Sequence, residues 1–389
     1  MRRNGFSPVE ELARARDDQG VVQVTTPFGQ TGYLVCRFED VRQVLGDPAR
    51  FSNARARTKS PLTSGLSEEE AARMRAGGLL GYDPPEHSRL RRMLTPEFTV
   101  RRMRRLQPRI VEIVDAALDD LERAGRPADL VSNFALPVPS LVICELLGVP
   151  YADRDEFQER SARLLDISLP MEQRMAAQRE NREYMATLVA RARAEPGEDI
   201  LGMLIREHGD DLSTDELVGI AALLLIAGHE TTSNMLGLGT LALLQNPDQL
   251  AMVRDDPERV GPAVEELLRW LSIVHSVAPR STTTEVEIAG RVIPADSLVM
   301  LSIPVANRDG AFIDDPDELD ITRGAGGHLA FGHGVHHCLG APLARMEMHV
   351  AFPALLRRFP GLALANPGEQ ADFRVFNAVY GLRSLHVTW

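Results

Sequence analysis

The stretch FGHGVHHCLG, Phe331 to Gly340, places one of the chain's three cysteines among three histidines and three glycines. Zinc, a disulfide, nucleophilic catalysis and a haem iron each make a different demand on such residues. Zinc needs ligands converging from fixed positions, but Gly332 and Gly334 oppose a helix that would show His333 and His337 on one face. No second cysteine lies nearby to make the usual pair. A haem-bound thiolate instead needs backbone N–H groups and a helix N-terminus aimed at its sulfur, which lower the thiol pKa and damp its charge. Gly332, Gly334 and Gly340 permit a tight loop of that kind, Cys338 falls just before a helix expected from about Ala341, and Phe331 is placed to shield the sulfur.

Working outward, APLARMEMHVAFPALLRRF supplies that last helix. Ahead of the motif lies an irregular run, PVANRDGAFIDDPDELDITRGAGGHLAFG. PERVGPAVEELLRWL reads as another helix, followed by the strand-like TEVEIAG and DSLVMLSI. The longest helix is predicted from Ser213 to about Gln245, opened by a capping box between Ser213 and Glu216. Helical patterns also fill Glu86 to about Leu212. Near the start, VVQVTTP and TGYLVCRF read as strands joined by FGQTG, and FEDVRQVLGD as a short helix ending at Gly46. Ser52 to Gly81, rich in small and polar residues, is expected to be a mobile loop. The pattern predicts a mainly α chain with small β-sheets (α+β), a single domain over 1–389.

Composition excludes several classes. A net charge of −12 argues against nucleic-acid binding by phosphate neutralisation. No apolar run approaches the ~20 residues that span a bilayer, and the start shows no signal-peptide pattern, so no membrane and a cytoplasmic location are expected. Cys36 and Cys144 sit in apolar runs and read as packing residues. Other motifs mislead. HETTS at His229 begins like a zinc protease helix, yet Ser233 stands where the second histidine belongs. GLGTLA, Gly237 to Ala242, matches a dinucleotide fingerprint but lies in mid-helix with no strand before it.

FGHGVHHCLG matches the cytochrome P-450 haem-ligand pattern F-x-x-G-x-H-x-C-x-G at every fixed position. DPPEHSRLRR, AGHETT and EELLR resemble the same family in the same order, so the likeness runs from about Val35 to Trp389, most closely to the soluble bacterial branch of actinomycetes. It implies haem b between a long central helix and the helix after the cysteine, with Cys338 as the iron's axial ligand. His87, Arg91, Arg280 and His336 are then implied to hold the haem propionates, because buried carboxylates require cationic partners. Arg92 reads as a solvated position.

In AGHETT, small Ala227 and Gly228 suit close approach of a flat ligand. Glu230 and Thr231, an acid and an alcohol in an apolar helix, suit proton delivery with bulk water excluded. Glu266 and Arg269 of EELLR are spaced to pair on one helix face; the likeness favours a buried network with His333 as third member and Arg323 as the alternative.

The implied reaction is a monooxygenase one, inserting one oxygen atom of O2 into a C–H or C=C bond. Electrons are implied to come from a small acidic iron–sulfur ferredoxin with its reductase and NAD(P)H, docked near the basic RRMRRLQPR, Arg101 to Arg109. Nitric oxide reductases and peroxygenases of the family depart from the acid–alcohol pair, which disfavours both; a haem-based sensor is the non-enzymatic alternative. Substrate contacts are expected from Ile226, Ala227 and Val274, and more broadly from Ser52–Gly81, Leu165–Gln178, Ile273–Val277 and Phe376–Tyr380. These stretches are largely apolar and suit a secondary metabolite.

Overall fold

The helix Thr214–Leu244 runs through the middle of the molecule for 31 residues. Its capping box is formed: Ser213 Oγ accepts the Glu216 N–H at 3.1 Å, and Glu216 accepts the Ser213 N–H at 2.8 Å. Two donors that a helix start leaves without partners are thereby satisfied. From Thr232 to Leu243 every residue is buried, because other helices cover it on several sides. This explains why the sequence shows no polar stripe there.

Three of those helices matter for the site. Pro137–Leu147 packs against the long helix where Gly228 leaves room, since a Cβ there would lie 2.8 Å from Ile143 Cδ1. Ala341–Arg358 packs where Gly239 does the same for Phe352. Val260–Leu271, which carries EELLR, contacts both the long helix and Ala341–Arg358. Ala341–Arg358 also lies along the basic helix Val100–Ala124.

Beside this helical body lies a five-stranded sheet in the order Val21–Thr25, Thr31–Val35, Leu298–Leu301, Arg280–Thr282, Phe51–Ser52. Only the pair Thr31–Val35 with Leu298–Leu301 is parallel; the helical body intervenes between these two strands in the chain. The sheet covers a second core of Val35, Val41, Phe51, Ile293, Val299 and Leu301. Smaller sheets pair Val286–Ile288 with Arg291–Ile293, and Ala363–Leu364, His386–Thr388 and Ala128–Asp129.

The computed structural model describes residues 3–26, 29–58, 67–153, 156, 159–160, 163–164, 169–324, 326–368, 370–374 and 377–389. Within the expected loop from Ser52 to Gly81 it shows order. Helices span Asn53–Thr58 and Glu68–Arg75, the second opened by a capping box between Ser67 and Glu70, and a 3-10 turn covers Leu79–Gly81. Short caps, more than periodicity, define helices of this length, and the small residues hid them. Residues 59–66 of that loop, 165–168 of the Leu165–Gln178 stretch and Phe376 lie outside the described residues. Among the described residues no helix is long and apolar enough to cross a membrane.

Candidate haem-thiolate site

The cysteine loop closes on itself. The Cys338 N–H donates to Phe331 O at 2.9 Å, and the His337 N–H to Gly334 O at 3.0 Å. Gly332 and Gly334 take φ values of 72° and 70°, a region that favours glycine. Gly334 is fixed by space as well: a Cβ would lie 2.6 Å from Leu45 O, at the end of the helix Phe38–Gly46. The next helix starts at Ala341 after Gly340, which offers no side-chain cap, and its Pro342 needs no N–H acceptor. The N–H groups of Gly340 and Ala341 therefore turn to the Cys338 sulfur.

Burial pushes the Cys338 thiol above its ordinary value, while those two N–H groups and the guanidiniums of Arg91 and Arg345 pull the other way. The two N–H groups act in the direction expected from the sequence, and desolvation of the thiolate acts against them. Cys338 presents its exposed surface inward, to a cavity between the long helix and Ala341–Arg358. Phe331 stands beside it, with the Arg345 guanidinium 4.6 Å from its ring centre. Arg345 is held by both oxygens of Glu265, at 2.6 and 2.8 Å.

At another part of the cavity wall, Arg91, Arg280 and His336 come together, with His87 packed against His336. The rings of His87 and His336 are 4.2 Å apart, and none of their four nitrogens has a partner among the described residues. Burial lowers both imidazoles, His336 to about 4, and each feels neighbouring positive charge, which keeps them neutral. Arg280 is pushed down to about 10 by burial and bonds only Ala278 O at 3.1 Å. Neither Arg91 nor Arg280 forms an ion pair among the described residues. Among the described residues Asp83 is the carboxylate that acts on this cluster, and it is engaged by Ser52 Oγ at 2.5 Å and the Asn53 N–H at 2.9 Å. A buried cluster of two guanidiniums and two partnerless imidazoles has donors for a dianion and too little charge of its own to balance them. The propionate edge of haem fits that demand, and the sulfur with its two N–H donors fits the iron.

Above the sulfur, Ala227, Gly228, Thr231 and Thr232 face the cavity, together with Leu79, Phe98, Ile220, Leu223, Val274 and Val277. Glu230 and Ile226 do not line it. Glu230 is buried on another face of the helix, where its Oε2 accepts from Arg374 at 3.3 Å and Asn234 at 3.4 Å. Burial raises its pKa, and Arg374 opposes the rise. Thr231 donates back to Ala227 O at 2.8 Å.

The buried network of EELLR departs from expectation in its third member. All five Arg269 N–H groups are used: two on Glu266 at 2.7 Å, and three on the carbonyls of Asn307, Pro316 and Glu318 at 2.8–3.1 Å. Arg323, not His333, approaches Glu266, at 3.7 Å. His333 sits against Gly46 in a shallow depression lined by Glu39, Asp40 and Asp47, because the two glycines around it turn its side chain to the outer side of the loop. Sequence reasoning missed Asn307. Fully buried, it accepts the Leu329 N–H at 2.7 Å and donates to Ser272 Oγ at 2.7 Å, joining EELLR to the cysteine loop. Its only sequence signal was a polar residue in an irregular run. Arg92 is exposed, as expected.

The comparisons agree with this geometry. The family model described as Cytochrome P450 matches residues 167–363. The chain is 57% identical over 390 residues to "Cytochrome P450 FAS1" of Rhodococcoides fascians, covering 100% of this chain and 98% of that one. It is 45% identical to pentalenic acid synthase of Streptomyces avermitilis, over 99% and 95% of the two chains. Among solved structures it is similar to the complex of the X-domain and OxyB from teicoplanin biosynthesis. There the TM-score is 0.88 and the identity 44%, over 100% of this chain and 98% of that one.

Proposed function

The chain belongs to the cytochrome P450 family, a family of haem-iron oxidoreductases, and from that premise we propose a specific reaction. Residues 1–389 form one haem b–thiolate monooxygenase domain that inserts an oxygen atom of O2 into a C–H or C=C bond of a mostly apolar secondary metabolite. The second oxygen atom leaves as water, with two electrons and two protons supplied. The observation that carries this reading is the Cys338 sulfur, met by the N–H groups of Gly340 and Ala341 and open to a cavity with a cationic cluster and an apolar wall.

When bound, the haem would supply dioxygen binding and O–O cleavage, which a thiolate ligand would favour by donating electron density. The chain's residues do the rest. Cys338 would hold the iron, its N–H donors damping the sulfur's charge. His87, Arg91, Arg280 and His336 would hold the propionates. The apolar wall excludes water and orders the substrate, and Thr231 is the hydroxyl placed to hand a proton into the dry space. Glu230 stands one step removed, facing Arg374.

Electrons come from a small acidic ferredoxin served by a reductase and NAD(P)H, and the protein works in the cytoplasm. Arg101, Arg104 and Arg105 are exposed on the basic helix and suit such a partner, whereas Arg102 and Arg109 are engaged by Glu97 and by Glu112 and Glu145. Replacing Arg101, Arg104 and Arg105 by Glu is expected to slow ferredoxin-driven reduction about tenfold at low salt, with the difference shrinking as salt screens the charges. Stopped-flow reduction measures it; rates equal to wild type would remove this helix face from the docking site.

Turnover under labelled dioxygen tests the reaction itself. With ferredoxin, reductase and NADPH, a panel of macrolides, terpenoids and carrier-tethered peptides should include one compound that shifts the Soret band and gains one labelled oxygen atom. Label-free oxidation driven only by peroxide would favour a peroxygenase, and nicotinamide-driven reduction of nitric oxide would favour the reductase reading.

A further inference from the structure

The segment Ile273–Val277 forms part of the cavity wall, yet little holds it from within. It follows the helix Val260–Leu271 through Ser272, whose φ of 38° is a strained value for a residue other than glycine. Among the described residues its backbone pairing consists of a bridge between Val274 and Val379 and a bond from the Tyr380 N–H to Ile273 O.

What fixes it comes from the other end of the chain. Arg3–Asn4 and Ser7–Pro8 form a small hairpin turned at Gly5. From it the Arg3 guanidinium donates to Leu271 O at 2.5 Å and to Ser272 O at 2.6 Å. These are carbonyls that a helix end leaves without partners, and a cation there also meets the negative end of the helix dipole. The same guanidinium lies 4.5 Å from the centre of the Tyr380 ring, and Tyr380 Oη donates to Gly5 O at 2.7 Å. Phe6 packs on Trp270, and Arg308 bonds Phe6 O and Ser7 Oγ. Arg3 therefore clasps both sides of the wall segment: the helix end it leaves and the Val379–Tyr380 strand it pairs with.

We propose that Arg3 is a positioning residue for the substrate wall, fixing Ile273–Val277 and so setting which ligands larger than a single small ring the cavity accepts. The proposal deepens the monooxygenase reading and rests on it for the ligand arm of its test.

The test compares Arg3→Ala and Arg3→Lys holoenzymes with wild type, using two iron-coordinating probes read by the Soret shift. Imidazole binds without extending along the wall, whereas 4-phenylimidazole carries a further ring into the space above the iron. Arg3→Ala should weaken 4-phenylimidazole about tenfold, a part of what two charge-assisted hydrogen bonds contribute, and leave imidazole within about twofold. Arg3→Lys, which keeps the charge, should recover part of the loss. Hydrogen exchange is the second arm and does not depend on the haem: residues 273–280 should exchange faster in Arg3→Ala, while residues 341–358 should not change. Equal weakening of both probes with faster exchange throughout would show a general loss of stability and overturn the proposal, as would unchanged exchange at 273–280. A chain lacking a thiolate-type carbon monoxide spectrum would instead sink the monooxygenase reading, with the exchange arm still deciding Arg3.

Discussion

The cysteine loop and the acid–alcohol turn of the long helix were read from strings of similar length, but the groups that fix their geometry lie at very different distances along the chain. In the loop, the partners of each group lie within the same ten or so residues: Cys338 N–H with Phe331 O, and the sulfur with the N–H groups of Gly340 and Ala341. Local sequence therefore specifies local structure. In the helix, neighbours in sequence stand about 100° apart around the axis, and which of them face the cavity depends on how the helix is set against it: Thr231 and Thr232 do, and Glu230 does not. Thr231 and Ala227, four residues apart, share the cavity face, and Glu230 turns to Arg374 from the far end of the chain. A motif on a helix names residues, and only packing says which way each one points.

The largest effect expected from this contrast is at the loop. Cys338→Ser should abolish the thiolate-type absorption of the reduced carbon monoxide complex entirely. Cys36→Ser and Cys144→Ser, both buried among apolar side chains, should preserve it. Difference spectra of the purified proteins decide the matter, and a thiolate-type band surviving in Cys338→Ser would sink the assignment.

Next in size is the buried pair that anchors the run leading into the loop. Arg269→Lys keeps the charge but offers three donors where five carbonyl and carboxylate oxygens now receive one each. Removing one partner's bonds from a buried ion pair typically costs ~3–5 kcal/mol. Denaturant unfolding should show most of that loss, and haem retention should fall with it. A stability within ~1 kcal/mol of wild type would mean that the pair is dispensable.

On the long helix the effect is smaller and falls on coupling. Thr231→Ala should keep fold, haem and substrate affinity while product per electron falls several-fold and hydrogen peroxide rises, since the cavity loses the hydroxyl proposed to hand on a proton. Glu230→Gln removes a group outside the cavity, so oxygen consumption should slow with product per electron closer to wild type. Equal uncoupling in the two variants would show that facing direction does not separate their roles.

Much of the fold was legible because its signals are local. The Ser213 capping box and the helix after Gly340 stand within a residue or two of where periodicity and caps put them, and the two early strands begin at Val21 and Thr31 as read, the second ending three residues sooner than its string. What stayed hidden depends on distant chain. The helices inside Ser52–Gly81 carry little apolar periodicity, Asn307 acquires its role only by bridging Ser272 and Leu329, and the Arg374 partner of Glu230 lies 144 residues away.

The smallest effect separates the two candidates for the third place in the Glu266 network. Arg323 approaches Glu266 and Asp320, each at 3.7 Å, and also bonds the carbonyls of Asp314 and Asp315. With its side chain only 14% exposed, its loss leaves polar groups poorly solvated. Arg323→Ala should therefore cost ~1–2 kcal/mol of stability. His333 rests against Gly46 at the rim of the loop, away from Glu266, so His333→Ala should stay within ~0.5 kcal/mol. The two changes should also add, because sites with no shared partner are energetically independent. A double variant that unfolds at the same denaturant concentration as Arg323→Ala alone agrees with this placement. A His333→Ala loss as large as that of Arg323→Ala, with coupling between them, would return His333 to the network.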